Sequence, residues 1–432
     1  MTLLVISPDY ASHLLPLATL ATAWHDAGER VVVATGPATD HIVRSFGFTR
    51  VDLRLGRGSN PGVIRAEQQP AGEDDALRGF FAATAAGMVA TLQFQADARR
   101  SDLLWQPLDT ARAVLRVLDA VRPDEILVDH LAFTARLALT ASGTRYADVV
   151  LGHPTALVVP GELYGYPTAW PATLRPDVVA LEALRKRSVE VREQFTDDWN
   201  QALRVLDPAA AAVDDAFAIS GPDLLLNYPD RLHDPARTAL LPRHTFLGSA
   251  VRDETADAET AAWLDQADPR PIVYVSFGSF LSARGDVLAR VVAALRPLDV
   301  RVALTTGSSD TATLGTVPAH WLVREHLPQV AVLDRAALAV THGGNNSVTE
   351  ALNRGVPLLV MPFSTDQFAA AAAVERAGLG MALDPNAATV QALRAAATAV
   401  MHSDMAAAAQ RIGVELRARP GRDVARTALV GR

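Results

Sequence analysis

The sequence predicts an α/β fold of two doubly wound domains, and three observations point there. Short apolar, β-branched runs alternate with helical patterns along the whole chain. These runs fall into two series, separated by a Pro- and charge-rich stretch over residues 228–268. At 432 residues the chain is also too long for one ordinary domain and suits two of about 200 each. Strands that read as unbroken apolar runs, rather than alternating ones, belong to parallel sheets covered on both faces. The expected strands of the first half are residues 3–6, 30–34, 125–128, 147–151 and 224–227. Those of the second half are 272–276, 300–305, 338–341 and 358–361. The expected domains are 1–240 and 241–432.

Two stretches break the alternation. Residues 53–112 contain a glycine-rich segment (56–62) and the aromatics Phe80, Phe81, Phe94 and Trp105; residues 154–176 carry Tyr164, Tyr166 and Trp170. Long irregular loops are usually functional or disordered, and their aromatic content makes these candidate walls of an apolar pocket, with core packing the alternative. Trp321 reads as a packing residue.

Composition narrows the function classes. Nearly half the residues are hydrophobic and a fifth are charged, a globular rather than disordered balance. A formal charge of −8 argues against nucleic acid as a main partner. There is no cysteine, which removes disulfides, thiolate nucleophiles and cysteine metal sites together. The opening residues lack a basic region before their apolar run and read as a strand, not a signal peptide. No apolar run reaches the roughly 18 residues of a membrane span. The expectation is a cytoplasmic protein, monomeric or homodimeric. Abundant Ala and Arg with few Lys suggest a GC-rich bacterial source.

Residues 324–367 carry the most chemistry. A strand ends at Thr341 and is followed by His342, Gly343, Gly344, Asn345, Asn346 and Ser347, which open a helix. Two glycines let backbone approach a ligand, and the amides of residues 345–347 fall in the first helical turn, where N–H groups lack partners and the dipole favours an anion. A diphosphate suits that position. Taken alone, Gly-Gly with Asn and Ser also reads as an ordinary turn and cap.

The surrounding residues resemble the nucleotide-sugar signature of family 1 glycosyltransferases, which include plant and mammalian UDP-glycosyltransferases and bacterial antibiotic glycosyltransferases. The match runs through Pro328 and Gln329, His342 to Gly344, Asn346 and Ser347, Glu350, Gly355 to Pro357, Pro362, and Asp366 with Gln367. The resemblance implies a GT-B fold, with two Rossmann-like domains facing across a cleft and a UDP- or dTDP-sugar as co-substrate. His342, Gly344 and the following amides would hold the diphosphate, Glu350 the ribose, and Asp366 with Gln367 the sugar hydroxyls. His326 stands where plant members stack a Trp on the base, and Asn345 where another Trp follows the second Gly. Ser276, Gly278 and Ser279 resemble a further element lining the diphosphate; Thr306 and Gly307 are a weaker case.

After the first strand, His13 precedes an apolar helix with Pro16 near its start. This resembles the family's Gly-His-x-x-Pro element, with Ser12 in place of Gly, and implies that His13 deprotonates the acceptor. A helix N-terminus disfavours a protonated imidazole, so His13 is expected to be neutral at neutral pH. Such a base needs an orienting carboxylate. Asp129, ending the buried run 125–128, aligns with the family's partner of that His; Asp9 competes, and capping is an alternative role for Asp129. The implied reaction is inverting transfer of a sugar to a hydroxyl of a hydrophobic natural product, as in antibiotic biosynthesis. No Asp-Xaa-Asp triplet occurs, so neither metal nor cofactor is expected. A non-catalytic nucleotide-sugar-binding relative that regulates a partner enzyme is the alternative, against which the retention of His13 and Asp129 argues. A nicotinamide enzyme is disfavoured because no Gly-Xaa-Gly follows the first strand.

Overall fold

The computed structural model describes residues 1–63, 73–281 and 284–430. Its strands form two parallel sheets. The first comprises β1 (Thr2–Ile6), β2 (Arg30–Thr35), β3 (Thr49–Asp52), β4 (Glu125–Asp129), β5 (Ala147–Val150), β6 (Asp223–Leu226) and β7 (His244–Phe246), in the order β3-β2-β1-β4-β5-β6-β7. The second comprises β8 (Ile272–Ser276), β9 (Arg301–Thr305), β10 (Leu322–Arg324), β11 (Ala336–Thr341), β12 (Leu358–Val360) and β13 (Gly380–Ala382), in the order β10-β9-β8-β11-β12-β13. The central strands are apolar because helices cover both faces: Leu3, Leu4, Val5 and Ile6 are all fully buried, alternating between two core clusters. The strands the sequence did not announce, β3, β7, β10 and β13, are the four sheet edges. Each is short, and all but β13 are mostly only half-buried, so none needs a long apolar run.

Strand order reverses between β1 and β4 in the first sheet and between β8 and β11 in the second. Loops leaving the carboxyl ends of such neighbours diverge and open a crevice. Both crevices belong to one cleft of about 680 Å³, lined from both sheets.

Two expectations are corrected. The chain is not cut at 240/241: β7 pairs with β6 beyond that point, and the helix Gly421–Val430 returns to pack on the helix Ala11–Asp26. Ion pairs Arg422–Asp26 (2.7 Å) and Arg426–Glu29 (2.9 Å) flank that packing, and Ala425 is buried in the first core. The stretch 53–112 is largely helical, with helices Glu73–Ala86, Met88–Leu103 and Pro107–Val121; residues 64–72 lie outside the described residues. Helix Met88–Leu103 packs on Glu73–Ala86 and on Val178–Leu206 while also facing the cleft, so its apolar residues form no single stripe to read. Residues 157–176 do remain irregular. Among the described residues no helix is long and apolar enough to cross a membrane.

Candidate active site

The neighbouring strands β1 and β4 each deliver one member of a pair. His13 is the third residue of the helix that follows β1, and Asp129 is the last of β4. His13 Nδ1 lies 2.7 Å from Asp129 Oδ2; the histidine side chain is 26% exposed and the aspartate 1%. The other carboxylate oxygen accepts the Leu131 N–H at 2.8 Å, so Asp129 both caps the chain leaving β4 and orients His13. An ionised carboxylate only accepts, so Nδ1–H donates and Nε2 is left as a proton acceptor. Asp9 takes no part. Its carboxylate accepts the Ala38 N–H (3.1 Å), the Thr39 N–H (2.9 Å) and the Thr39 hydroxyl (2.8 Å), pinning the loop after β2.

The expected neutrality of His13 is also corrected. Burial lowers its pKa, but the charge and hydrogen bond of Asp129, helped by Asp366, outweigh burial and raise it above 6.5. A base works deprotonated, so the rate of a reaction using His13 should rise with pH through that raised value. In Asp129→Asn the raising causes are removed and burial remains. The acidic limb of kcat/KM should move to lower pH, and the plateau should fall about ten- to hundredfold, the worth of one charge-assisted hydrogen bond. A limb that stays in place in the variant would show that another group titrates.

In the second sheet the corresponding neighbours β8 and β11 lead to Gly278 and His342. The His342 ring lies against both Gly278 and Gly344: a Cβ on Gly278 would come within 2.8 Å of its Cε1, and one on Gly344 would overlap Nε2. Gly343 has φ +87°, which favours glycine, and a Cβ there would sit 2.7 Å from Val360 Cγ1. Burial pushes the His342 pKa down to about 4, so the ring is neutral at neutral pH and offers a diphosphate a hydrogen bond rather than a charge. Helix Asn345–Asn353 starts at Gly344 without a side-chain cap, which leaves its first amides to an incoming anion. Asn346 Nδ2 donates across the cleft to the Ser12 carbonyl at 2.9 Å, so the helix starts bearing His13 and Ser347 face each other. The side chain of Ser279 lies outside the described residues.

Glu350 is buried and already paired. Arg252 Nη1 donates to Oε1 at 2.6 Å and Gln329 Nε2 to Oε2 at 2.5 Å. Arg252 also donates to Glu254, and the Tyr274 hydroxyl donates to Gln329 Oε1 at 3.2 Å. His326 is exposed on the cleft rim. Asp366 crosses the cleft: its Oδ2 accepts the His153 N–H at 2.5 Å, and Gly152 leaves the room, since a Cβ there would meet that oxygen at 2.7 Å. Burial raises the Asp366 pKa against these bonds. Thr365, in the left-handed region at φ +52°, turns the loop that presents it. Gln367 departs from expectation. Its Oε1 accepts the Phe363 and Ser364 N–H groups (3.0 and 3.2 Å) and its Nε2 donates to Ser364 Oγ, so the amide holds its own loop instead of reaching out to a sugar.

Phe80, Phe94, Tyr164 and Tyr166 line the cleft on the first-sheet side, as the aromatic content suggested. Phe81, Trp105 and Trp170 do not; Trp170 packs on Phe368 across the cleft, 4.7 Å between rings. Trp321 is buried in the second core. Arg252, Asn345 and Ser12 were missed as site residues. Arg252 lies in the stretch read as a linker, and Ser12 contributes only its backbone, which no side-chain motif records.

Two parallel-sheet domains meeting across this cleft define a GT-B fold. Over the whole length of both chains, spinosyn forosaminyltransferase SpnP superposes with a TM-score of 0.68 at 19% identity. Glycosyltransferase VinC, solved in complex with dTDP, gives 0.66 at 19%, covering 99% of each chain. Residues 232–408 match, and belong to, the family described as UDP-glucoronosyl and UDP-glucosyl transferase. The chain is 29% identical over 209 residues to the uncharacterized UDP-glucosyltransferase YojK of Bacillus subtilis, covering 48% of this chain and 51% of that one. It is 28% identical over 303 residues to demethyllactenocin mycarosyltransferase of Streptomyces fradiae, covering 69% and 61%. The chain thus spans about half the length of the first curated relatives it matches.

Proposed function

We propose that this chain is an inverting glycosyltransferase that moves a sugar from a nucleoside-diphosphate donor to a hydroxyl of a hydrophobic natural product. One observation carries the reading: the His13–Asp129 pair opens onto the same cleft as the uncapped start of helix Asn345–Asn353. His13 Nε2 takes the proton of the acceptor hydroxyl as its oxygen bonds to the anomeric carbon. The carbon–oxygen bond to the diphosphate breaks on the opposite face, so the anomeric configuration inverts. Charge growing on the diphosphate is met by the amides of residues 345–347 and by the His342 N–H, fixed donors that need no reorganisation. Glu350 keeps free lone pairs beyond its bonds to Arg252 and Gln329, enough to accept from ribose hydroxyls. In this reading the helix start does the work a metal ion would do, and chelation should leave the rate unchanged.

The dTDP complex of VinC makes dTDP the first nucleotide to test and UDP the second. A nucleotide at a hundred times its dissociation constant should stabilise the protein by about 2.7 kcal/mol, readable as a thermal shift. Transfer from the matching sugar nucleotide should then give a product of inverted configuration by NMR. No shift with dTDP, UDP or GDP, or a product of retained configuration, would overturn the reading.

A further inference from the structure

The cleft wall formed by helix Met88–Leu103 holds a cation without a counter-ion. Arg99 is 8% exposed and lines the cleft. Its Nη1 is buried with no hydrogen-bond partner, and Tyr164 is the one titratable group acting on it. The other arginines buried to this degree among the described residues each meet a carboxylate: Arg136 with Asp148 (3.4 Å), Arg284 with Asp286 (2.8 Å) and Arg301 with Asp268 (3.9 Å). A buried charge left unpaired is costly, several kcal/mol in typical proteins, so its retention calls for a partner that arrives from outside.

The site is built around that guanidinium. Its carbon sits 5.0 Å over the Tyr164 ring, and Tyr164 is itself stacked flat on Phe217, 4.2 Å between centroids. Gly165, at φ +78°, leaves the space the guanidinium occupies, since a Cβ there would overlap it. One helical turn before Arg99, Gln95 lines the same wall, and its Oε1 is also buried without a partner. Tyr164 also feels the charges of Asp129 and Asp366, so Arg99 lies about one aromatic ring from the proposed reacting centre.

We propose that Arg99 is an anion subsite for the acceptor, and that the acceptor is an aromatic or polyketide-like hydroxyl compound bearing a carboxylate. The guanidinium takes the carboxylate, the aromatic wall takes the apolar body, and the acceptor hydroxyl is left for His13. Gln95 Oε1 accepts from a donor group on the same compound. The inference rests on the glycosyltransferase reading only in calling the ligand an acceptor.

The test compares para-coumarate with its methyl ester, a pair differing in the charge alone. Binding is measured by calorimetry to the full chain, to Arg99→Met, to Arg99→Lys and to Gly165→Ala, which keeps the arginine but displaces it. The parent should bind the acid about ten- to hundredfold more tightly than the ester. The ratio should fall to about one in Arg99→Met and in Gly165→Ala and be partly kept in Arg99→Lys. The unfolding midpoint of ligand-free Arg99→Met should not fall, because an uncompensated cation is removed; an arginine serving only to hold the wall would lower it. If Arg99→Met does not fold, the ratio in Gly165→Ala decides. No preference for the acid in the parent, or a preference that survives in Arg99→Met, overturns the anion site. Transfer to the ester as efficient as to the acid would leave the glycosyltransferase reading standing without it. Acid selectivity with no response to dTDP, UDP or GDP would do the reverse.

Discussion

His13→Ala should lose about 100- to 10,000-fold in transfer rate while binding the donor nearly as the parent does. That range is what a positioned general base contributes. The imidazole is placed for the task by three features that the variant removes together: Nε2 faces the cleft, Nδ1 is fixed by Asp129 at 2.7 Å, and the carboxylate is held in turn by the Leu131 N–H. Its raised pKa sets the pH dependence. The protonated form is favoured by Asp129, so the parent is least active below 6.5 and gains rate as pH rises through the folded-state value. His13→Ala should lack that limb. The same shift acts on stability in the opposite sense, because the His13–Asp129 contribution is full below 6.5 and is lost as pH rises through the raised value. Single-turnover rates with a hydroxyl acceptor, beside dTDP titrations, check both claims. An unchanged rate rejects His13 as the base; a donor-affinity loss as large as the rate loss puts it on the wrong side of the cleft.

The parts of this site legible in the sequence are those fixed by strand ends. His13, Asp129 and His342 each lie at or just past the carboxyl end of a central strand, and an apolar run followed by a polar residue marks such a place. The identity of the orienting carboxylate was not legible, because Asp9 and Asp129 are both near His13 and only the path of the loop at Ala38 and Thr39 shows Asp9 to be occupied. Gln367 was misread for a related reason. Its place in the motif is as expected, but short-range bonds to residues 363 and 364 capture its amide, and side-chain direction within a loop leaves no sequence period. The helix Pro107–Val121 was readable in part, with Pro at its start and buried residues at 111, 114, 117 and 121. The charge network around Glu350 was not, since Arg252 is 98 residues away in the chain.

That network supports the second large effect: Arg252→Met should destabilise the protein by about 3–5 kcal/mol at neutral pH, the cost of breaking a buried ion pair by removing one partner. Glu350 is 4% exposed, and Arg252 at 13% is the one cation bonded to it. Burial already raises the Glu350 pKa, with the arginine and the Gln329 amide opposing and Glu254 adding to the rise. Without the arginine, two carboxylates face each other in a dry setting and Glu350 must either stay charged at great cost or take up a proton. Its folded pKa then stands above the unfolded value, so the variant's deficit should grow as pH rises through that value and shrink as pH falls. Adding Glu350→Gln to Arg252→Met removes the orphaned charge and should recover most of the loss, because a neutral amide can still accept from Gln329. Urea unfolding of the parent, the single and the double variant at two pH values measures all of this. A single-variant loss below about 1 kcal/mol, or one that the second substitution deepens, would mean that solvent rather than Arg252 compensates Glu350. The carboxylate would then have lone pairs enough to take ribose hydroxyls without surrendering any bond seen here.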